Sequence, residues 1–465
     1  MKSVRIILGF ILGIIPMFMH AQTNQVPEVY YVSFASSEPV KGNPLKLHAQ
    51  DGASTDKTAQ ITVFPQIEYQ TFSGMGGCFN EIGGEALLSL PKDKQHEILR
   101  NLFDEKEGCG FSFCRTAIGS SDFGIDAYSY SETPDDYDMQ HFSIARDEKY
   151  VLPYIKGAAA INPNLELFAS PWSPPGWMKK SEKMTGGDNS VLKDNANIYR
   201  AYAKYFVKYI QAYKQHGIKI VRLNPQNETD MNPRYPGCII PPDQMNRLVM
   251  EYLIPEFKKS KIKTEIWPGT YRVAGKYEAI ELFADVRLRK AVPGIGIQYT
   301  SPYYIDNFTQ LYPEIKKMHT ECICHDGANT MEQAKGRWTE ISNYLCYGVE
   351  NFAYWNMILN ETGKSGWNWR QNALINIDRQ TGTVTYNPDY AVMYLVGKFI
   401  RPGDVRTGHY SDAEPCLVVK SADKRYKIIL QNNDDAEKTI RLHFGANREA
   451  SVKIPGKALV AIVLP

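Results

Sequence analysis

The segment IKIVRLNPQNE, residues 218–228, is a short apolar run that ends in the polar residues Asn227 and Glu228. A run of this length bounded by polar or turn residues is typical of a buried strand. Seven other segments share the pattern, and they are YQTFSGMGG (69–77), GFSFCRTAIG (110–119), LELFASPW (165–172), KTEIWPG (263–269), GIGIQYT (294–300), IKKMHTE (315–321) and ENFAYWN (350–356). The sequence therefore predicts eight strands that each lead into a polar or Gly-rich stretch.

Amphipathic stretches lie between most of these strands, for example PKDKQHEILRNLF (91–103), NANIYRAYAKYFVKYIQAYKQHG (195–217) and PPDQMNRLVMEYLIPEFKKS (241–260). The third begins with Pro and the second closes at Gly217, as helices often do. Eight alternating strand and helix units predict an α/β fold, the (β/α)8 TIM barrel, over residues 70–400.

The sequence pattern at both ends of the chain differs from that of the middle. Short alternating segments separated by turn residues, such as CLVVKS (416–421) and RYKIILQN (425–432), fill the region from residue 401 to residue 465. EVYYVSF (28–34) and QITVFPQIEY (60–69) have the same character. We expect residues 22–69 and 401–465 to form one β-sandwich attached to the barrel.

The first residues, MKSVRIILGFILGIIPMFMHAQT, carry two basic residues ahead of an apolar run from Ile6 to Met19. This pattern predicts a secretory signal peptide, residues 1–21, cleaved after Ala21. The apolar run is shorter than the ~20 residues that a spanning helix needs, so we expect no stable membrane insertion. The mature protein is predicted to be secreted or periplasmic.

The composition narrows the class of partner. A formal net charge of +2 with 22% charged residues provides no broad basic surface for nucleic acid. Aromatic residues make up 12% of the chain, and their flat amphipathic rings suit neutral polar ligands. The eight Cys permit disulfides in an exported protein, but their pairing does not follow from the sequence.

Two glutamates end predicted strands, Glu228 on the fourth and Glu321 on the seventh. Side chains at the carboxyl ends of barrel strands converge on one site. Two carboxylates about 5 to 5.5 Å apart are what a retaining glycosidase needs, one as nucleophile and one as acid and base. A salt bridge or a helix cap is the alternative for each glutamate taken alone.

Seven ordered motifs make the pattern more specific, and they are FSGMGGCFNE, CRTAIGSSDF, YSYSETPDDYDMQHFSI, ASPWSPPGWMK, NPQNE, HTEC and FAYWNMILNETGKSGWNW. Together they resemble the glucosylceramidase-like glycoside hydrolases of family 30. The resemblance implies a (β/α)8 barrel with a β-sandwich, Glu228 as acid/base and Glu321 as nucleophile. It also implies that Asn227 binds the sugar 2-hydroxyl, and that no cofactor or metal is required.

Further pocket positions follow from the same resemblance. Asp122 matches a carboxylate that accepts hydrogen bonds from non-reacting sugar hydroxyls, although an N-cap is an alternative for this residue. Trp172 and Trp355 match aromatics that line the sugar pocket. Arg115 matches an Arg near the nucleophile, and Asn372 falls at a pocket position after the eighth strand.

The sixth strand departs from the family pattern. Family members end it with a His-Trp-Tyr-like run whose Tyr contacts the nucleophile, whereas this chain has Gln298, Tyr299 and Thr300. We include Tyr299 among the pocket residues, but Tyr303 or Tyr304 could make the contact instead. Thr229 also stands where a Pro usually follows the acid/base, in a loop expected to border the pocket.

The segment HTECICHDGAN, residues 319–329, supports a rival hypothesis, a zinc hydrolase. The candidate ligands would be His319, Cys322, Cys324 and His325. A second, distant ligand pair is absent from the pattern, and strand alternation would place His319 and Glu321 on one face and the two Cys on the other. This favours Glu321 as the functional residue of the segment.

The sequence thus favours a retaining β-glycosidase that acts on neutral oligosaccharides, polysaccharides or glycolipids, with a β-glucosidic bond as the preferred substrate. A family member specific for xylose, galactose or fucose is the first alternative. A glycan-binding protein without catalytic activity is the second.

Overall fold

The computed structural model describes residues 27–35, 45–48, 59–272, 276–413, 415–444 and 448–464. The predicted signal peptide, residues 1–21, lies outside the described residues. Within these ranges, no helix combines the length and the hydropathy needed to cross a bilayer.

Strands and helices alternate through the middle of the chain. The strands are β1 (Glu28–Ser33), β2 (Leu45–His48), β3 (Ala59–Thr71), β4 (Gly74–Phe79), β5 (Phe113–Ala117), β6 (Glu166–Ser170), β7 (Ile220–Leu223), β8 (Glu265–Ile266), β9 (Gly294–Ile297), β10 (Lys316–His319), β11 (Asn351–Asn356), β12 (Ile358–Asn360), β13 (Ile375–Ile377), β14 (Val384–Tyr386), β15 (Val405–Ser411), β16 (Cys416–Lys420), β17 (Tyr426–Asn432), β18 (Lys438–Phe444), β19 (Arg448–Ile454) and β20 (Ala458–Leu464). The helices are α1 (Glu81–Leu88), α2 (Lys92–Phe103), α3 (Val151–Ile161), α4 (Ala196–Gln215), α5 (Pro242–Arg247), α6 (Ile254–Lys259), α7 (Lys276–Phe283), α8 (Val286–Ala291), α9 (Pro302–Leu311), α10 (Met331–Leu345) and α11 (Pro388–Phe399). A 3₁₀ turn covers Gly176–Met178, and a π-helical segment, Leu248–Leu253, joins α5 to α6.

The eight predicted strands form the barrel as β4 to β11. Six of them pair in parallel in the order β11-β4-β5-β6-β7-β8, and β9 pairs in parallel with β10. Single bridges from Tyr271 to Ile297 and from Lys317 to Val349 connect the two groups. Gly76 allows β4 to approach β5, because a Cβ there would lie 2.1 Å from the carbonyl oxygen of Phe113.

His319 joins β10 to β11 through its side chain. Its Nδ1 accepts a hydrogen bond from the Ala353 backbone N–H at 3.1 Å, and its ring stacks on Phe352. Asn351 completes the junction, since its side chain accepts from the His319 N–H at 3.0 Å and donates to the His319 carbonyl at 2.8 Å. These bonds take the place of a regular ladder at this junction.

Both chain ends build the second domain. A nine-stranded sheet runs in the order β19-β18-β3-β15-β16-β17-β20-β1-β2, so β1 pairs with β20 and β3 lies between β18 and β15. Buried apolar residues of β3, β18 and β19 share one cluster with those of β16, β17 and β20. The two halves of the sheet therefore pack face to face as a sandwich. The predicted fold, a (β/α)8 barrel with a β-sandwich from both ends, is confirmed.

Some elements differ from the sequence-based expectation. The segment of β15, VRTGHYS, does not have the apolar alternation of its neighbours, yet it pairs with β3 over much of its length. β3 extends to Thr71, which pairs with Val405, two residues beyond the expected domain boundary. A small sheet of β12, β13 and β14 was also not predicted.

Candidate active site

Glu228 and Glu321 lie at the carboxyl end of the barrel, where the chain leaves β7 and β10. Both side chains are buried. The Gln298 amide nitrogen, at the end of β9, lies 3.4 Å from Glu228 Oε1 and 3.5 Å from Glu321 Oε2. One amide group therefore lies within hydrogen-bond reach of both carboxylates, so the two glutamates share one small site.

Arg115, on β5, holds the Glu321 carboxylate in place by a hydrogen-bonded ion pair. Its Nη1 donates to Glu321 Oε2 at 2.8 Å, and its Nη2 donates to Asn227 Oδ1 at 2.8 Å. Ser170 at the end of β6 accepts from the guanidinium at 3.1 and 2.6 Å and so holds it in place. A fully buried cation at this position stabilises the ionised form of Glu321.

Tyr299 makes the contact to Glu321 that the sequence left open. Its hydroxyl donates a hydrogen bond to Glu321 Oε1. Tyr303 is 77% exposed, and Tyr304 is buried against Phe308 within α9. Tyr299 is therefore the residue that contacts Glu321, although the sequence of this strand end differs from the family pattern.

The backbone is strained at two of these positions. Glu228 has φ of 44° and Tyr299 has φ of 47°, in the left-handed region that non-Gly residues seldom adopt. The backbone N–H of Glu228 donates to Thr270 Oγ1 at 3.1 Å, which secures the unusual turn. Strain held in place by surrounding contacts is characteristic of functional sites.

The surroundings of Glu228 favour its protonated form. Burial and the neighbouring charge of Glu321 raise the pKa of Glu228 to about 8. Arg272, whose Nε lies 3.7 Å from Glu228 Oε1, lowers that pKa and limits the shift. Arg272 itself is held by two hydrogen bonds to Asp230 at 3.2 and 2.9 Å. Glu228 thus carries a proton near neutral pH.

The pKa of Glu321 is also raised, but its neighbours oppose the shift more than those of Glu228 do. Burial raises the pKa of Glu321, while the Arg115 guanidinium and the Tyr299 hydroxyl lower it. Of the two carboxylates, only Glu321 contacts this cation and this hydroxyl. Because two buried carboxylates that share a site do not readily ionise together, the shared proton belongs on Glu228 and the charge on Glu321.

A polar and aromatic wall completes the site. Trp172 and Trp355 stack with ring centroids 4.9 Å apart, and the Arg115 guanidinium lies 4.4 Å from the Trp172 ring centroid. Asp122 is buried near both glutamates, and its Oδ1 has no hydrogen-bond partner in the described protein. Burial, then Glu321 and Glu228, raise the pKa of Asp122 well above its ordinary value. A ligand hydroxyl is the partner that such an oxygen needs.

Comparison with known proteins shows the family to which the chain belongs. Residues 72–399 match the Glycosyl hydrolase family 30 TIM-barrel domain. The chain belongs to glycosyl hydrolase family 30. It is therefore a glycoside hydrolase.

Several relatives of this family 30 enzyme are moderately similar. It is 25% identical over 417 residues to the endo-1,6-β-D-glucanase BGN16.3 of Trichoderma harzianum, with 82% of each chain covered. It is 24% identical over 412 residues to the lysosomal acid glucosylceramidase of Mus musculus, covering 82% of this chain and 79% of that protein. The solved structure of the endo-β1,6-glucanase BT3312 has a TM-score of 0.84 at 23% identity, covering 95% of this chain and 99% of that one, so the two share the fold.

Asn372 bonds to the loop that follows Glu321. Its Oδ1 accepts from the backbone N–H groups of Gly327 and Asn329 at 2.9 and 3.3 Å, and its Nδ2 donates to Gln333 at 3.0 Å. These bonds use both ends of the side-chain amide. Asn372 therefore holds the loop that follows Glu321, and its sequence-based assignment to the sugar pocket stays a prediction.

The segment proposed as a zinc site has a structural arrangement instead. Cys322 and Cys324 are free and buried with their sulfur atoms 3.4 Å apart, and Cys322 Sγ accepts the Trp355 backbone N–H at 3.3 Å. His319 is engaged with β11, and His325 is exposed. In the described ranges, no three His, Cys, Asp or Glu side chains are placed to hold a metal ion.

Some residues of the site were not predicted. Gln298, Thr270 and Arg272 each follow β8 or β9 and contact Asn227, Glu228 or both. Tyr235, in the loop after Glu228, lies close enough for the pocket carboxylates to raise its pKa, although burial is the larger cause. The rule that barrel chemistry sits at strand ends could have identified the first three, because each is polar and follows a predicted strand.

Proposed function

We propose that this family 30 enzyme is a retaining β-glycosidase in which Glu321 is the nucleophile and Glu228 is the acid/base. The main support for the proposal is the difference between the surroundings of the Glu321 and Glu228 carboxyl groups. Glu321 accepts hydrogen bonds from Arg115 and Tyr299, which favour its charge, whereas burial and Glu321 raise the pKa of Glu228 to about 8. A retaining mechanism needs one ionised and one protonated carboxyl group.

In the first step, a Glu321 oxygen attacks the anomeric carbon and forms an ester bond to it. The bond from that carbon to the leaving oxygen breaks, and Glu228 gives its proton to that oxygen, so Glu228 ends the step as a carboxylate. In the second step, Glu228 takes a proton from water as the water oxygen attacks the anomeric carbon. The ester bond breaks and Glu321 regains its charge.

The neighbouring side chains suit the sugar. Asn227 has its amide oxygen bound by Arg115 at 2.8 Å and by Thr270 at 3.0 Å, so its amide N–H₂ is oriented and available for the 2-hydroxyl. A hydrogen bond to this hydroxyl strengthens in the oxocarbenium-like transition state. Asp122 can accept from other hydroxyls, and the Trp172 and Trp355 pair forms an apolar wall for the C–H face of a pyranose.

We propose a neutral β-glucoside as the substrate, either an oligosaccharide or polysaccharide or a glycolipid. The relatives named as an endo-1,6-β-D-glucanase and a glucosylceramidase support this choice, as does the net charge of +2. A β-xyloside, β-galactoside or β-fucoside is the alternative within the family. The amino-terminal pattern further supports export, which N-terminal sequencing of the protein recovered outside the cytoplasm would test.

Azide rescue of two variants tests the assignment of roles. In Glu321→Gly, azide can enter the space left by the nucleophile and attack an activated aryl β-glucoside directly, which gives the α-glucosyl azide. In Glu228→Ala, azide attacks the glycosyl-enzyme and gives the β-glucosyl azide. A β-glucosyl azide from Glu321→Gly, or an α-glucosyl azide from Glu228→Ala, would contradict the assignment.

A further inference from the structure

A second groove lies at the opposite end of the barrel from the two glutamates. Its volume is about 750 Å³. Its walls come from the end of β3, the start of β10, the turn between α10 and β11, and Arg406 on β15. Glu228 and Glu321 follow the carboxyl ends of their strands, whereas this groove adjoins the amino ends, so it is separate from the hydrolytic site.

Lys317 places a buried cation against this groove. The residue is only 5% exposed, and burial lowers its pKa. Among the described residues, no hydrogen bond or ion pair engages its ammonium group. Gly348, which also lines the groove and has φ of 88°, carries no side chain to cover it: a Cβ there would lie 3.6 Å from Lys317 Nζ.

Arg406 supplies a second cation. Its guanidinium lies 4.1 Å from the ring centroid of Tyr69, and its Nε is buried without a hydrogen-bond partner in the described protein. Burial lowers the pKa of Arg406. No carboxylate of the described chain lies within ion-pair distance of it. Arg406 is partly buried, and a buried N–H donor of a cation that lacks a partner is costly unless an anion binds nearby.

Of the two acidic residues of the groove, Glu350 is paired with cations and Asp306 is exposed to solvent. Glu350 binds Lys316 at 3.2 Å and Arg222 at 3.1 Å. Asp306, on α9, accepts from Gln310 at 2.7 Å. Lys317 and Arg406 are therefore the cations left for an external anion.

The rest of the lining suits a sugar ring. Tyr69 is 51% exposed and Tyr347 is 42% exposed, so both present aromatic surface in the groove. Gln70 is anchored through its amide nitrogen to the carbonyls of Leu345 and Val349 at 2.6 and 3.2 Å. Its Oε1 has no partner in the described protein and can accept from a hydroxyl.

We propose that this groove is a binding site for an acidic sugar, a pyranose that carries a carboxylate or a phosphate. Lys317 and Arg406 bind the anionic group, Tyr69 and Tyr347 contact the ring, and Gln70 accepts from a hydroxyl. Such a site would hold the enzyme on an acidic glycan while the barrel mouth cleaves a neutral one. The proposal does not depend on the hydrolytic mechanism.

Calorimetric titration of the full chain tests the site with four probes: glucuronic acid, glucose 6-phosphate, glucose and inorganic phosphate. We expect one or both acidic sugars to bind more tightly than glucose and than phosphate, and the tighter of the two identifies the anionic group. Equal binding of glucose would overturn the role of charge. Phosphate that binds as tightly as glucose 6-phosphate would overturn the role of the ring, and absence of binding by both acidic sugars would overturn the site.

Three variants locate the binding. Lys317→Met and Arg406→Gln should each weaken acidic-sugar binding by roughly tenfold, as expected for loss of a charge-assisted contact. Lys94→Met is the matched control, because that exposed ammonium pairs with Glu97 on α2, outside the groove, and it should leave binding nearly unchanged. Thermal unfolding checks that each variant is folded, and hydrolysis of an aryl glucoside should be retained in all three. Undiminished binding in either folded groove variant would contradict the proposal.

Discussion

The side-chain amide of Gln298 lies 3.4 Å from Oε1 of Glu228 and is anchored from behind, where its own oxygen accepts from Thr320 Oγ1 at 2.6 Å. The same amide nitrogen lies 3.5 Å from Glu321. A neutral residue that cannot titrate near neutral pH therefore lies between Glu228 and Glu321 and contacts both. The family that the sequence resembles has a His-containing run at this strand end, whereas Gln298 adds no titrating group here.

Replacement of Gln298 with Met should slow catalysis and shift its pH dependence. The amide favours the ionised form of both glutamates, so its loss raises the pKa of Glu228 and of Glu321. Both limbs of the kcat/KM profile should move to higher pH, and kcat should fall by roughly tenfold or more. A pH profile unchanged from that of the parent would show that the amide does not act on the pair.

Tyr299→Phe should affect the acidic limb alone. The lost hydroxyl stabilised the charge of Glu321, so the pKa of Glu321 rises and the nucleophile becomes protonated at a higher pH. We expect the acidic limb of kcat/KM to move upward and kcat to drop by about tenfold to a hundredfold. Tyr303→Phe, at an exposed position of α9, is the control and should behave as the parent.

Arg272→Gln should affect the alkaline limb. Arg272 lowers the pKa of Glu228, and its removal also frees the charge of Asp230, which raises that pKa further. The acid/base then keeps its proton to higher pH, so the alkaline limb moves upward. Arg287→Gln, whose exposed side chain pairs with Asp285, is the control. An alkaline limb that moves downward would disprove the proposed direction.

Asn372→Ala shows whether Asn372 stabilises the loop after Glu321 or contacts the sugar. Because Asn372 joins Gly327, Asn329 and Gln333, its loss should reduce the free energy of unfolding by about 1 to 3 kcal/mol. KM for an aryl glucoside should change little. Denaturant unfolding measures the loss of stability, and steady-state kinetics measures KM. A large rise in KM with unchanged stability would favour a contact between Asn372 and the sugar.

Much of the architecture follows from local pattern. Each barrel strand is a short apolar run with a polar or Gly-rich end, and that regularity also locates Glu228 and Glu321 at one end of the barrel. β15 escaped prediction because its sequence carries Gly408 and polar residues, and its pairing with the long β3 is what makes it a strand. Such long-range pairing has no local sequence signature.

The conformation of the loop after Glu321 was likewise not predictable from local sequence. Alternation along an extended strand would keep the side chains of Cys322 and Cys324 about 7 Å apart. β10 ends at His319, so the chain is no longer extended at these residues and their sulfur atoms lie 3.4 Å apart. The hydrogen bonds of Asn372 could not be predicted for a related reason, since they depend on how the loop after Glu321 folds.

The stereochemistry of hydrolysis tests the central claim most directly. Proton NMR of an aryl β-glucoside during the first turnovers distinguishes the anomers of the released glucose before they interconvert. The double displacement through Glu321 predicts that the β-anomer appears first and the α-anomer grows in later by mutarotation. Initial release of the α-anomer would show a single displacement by water and would contradict the roles given to Glu321 and Glu228.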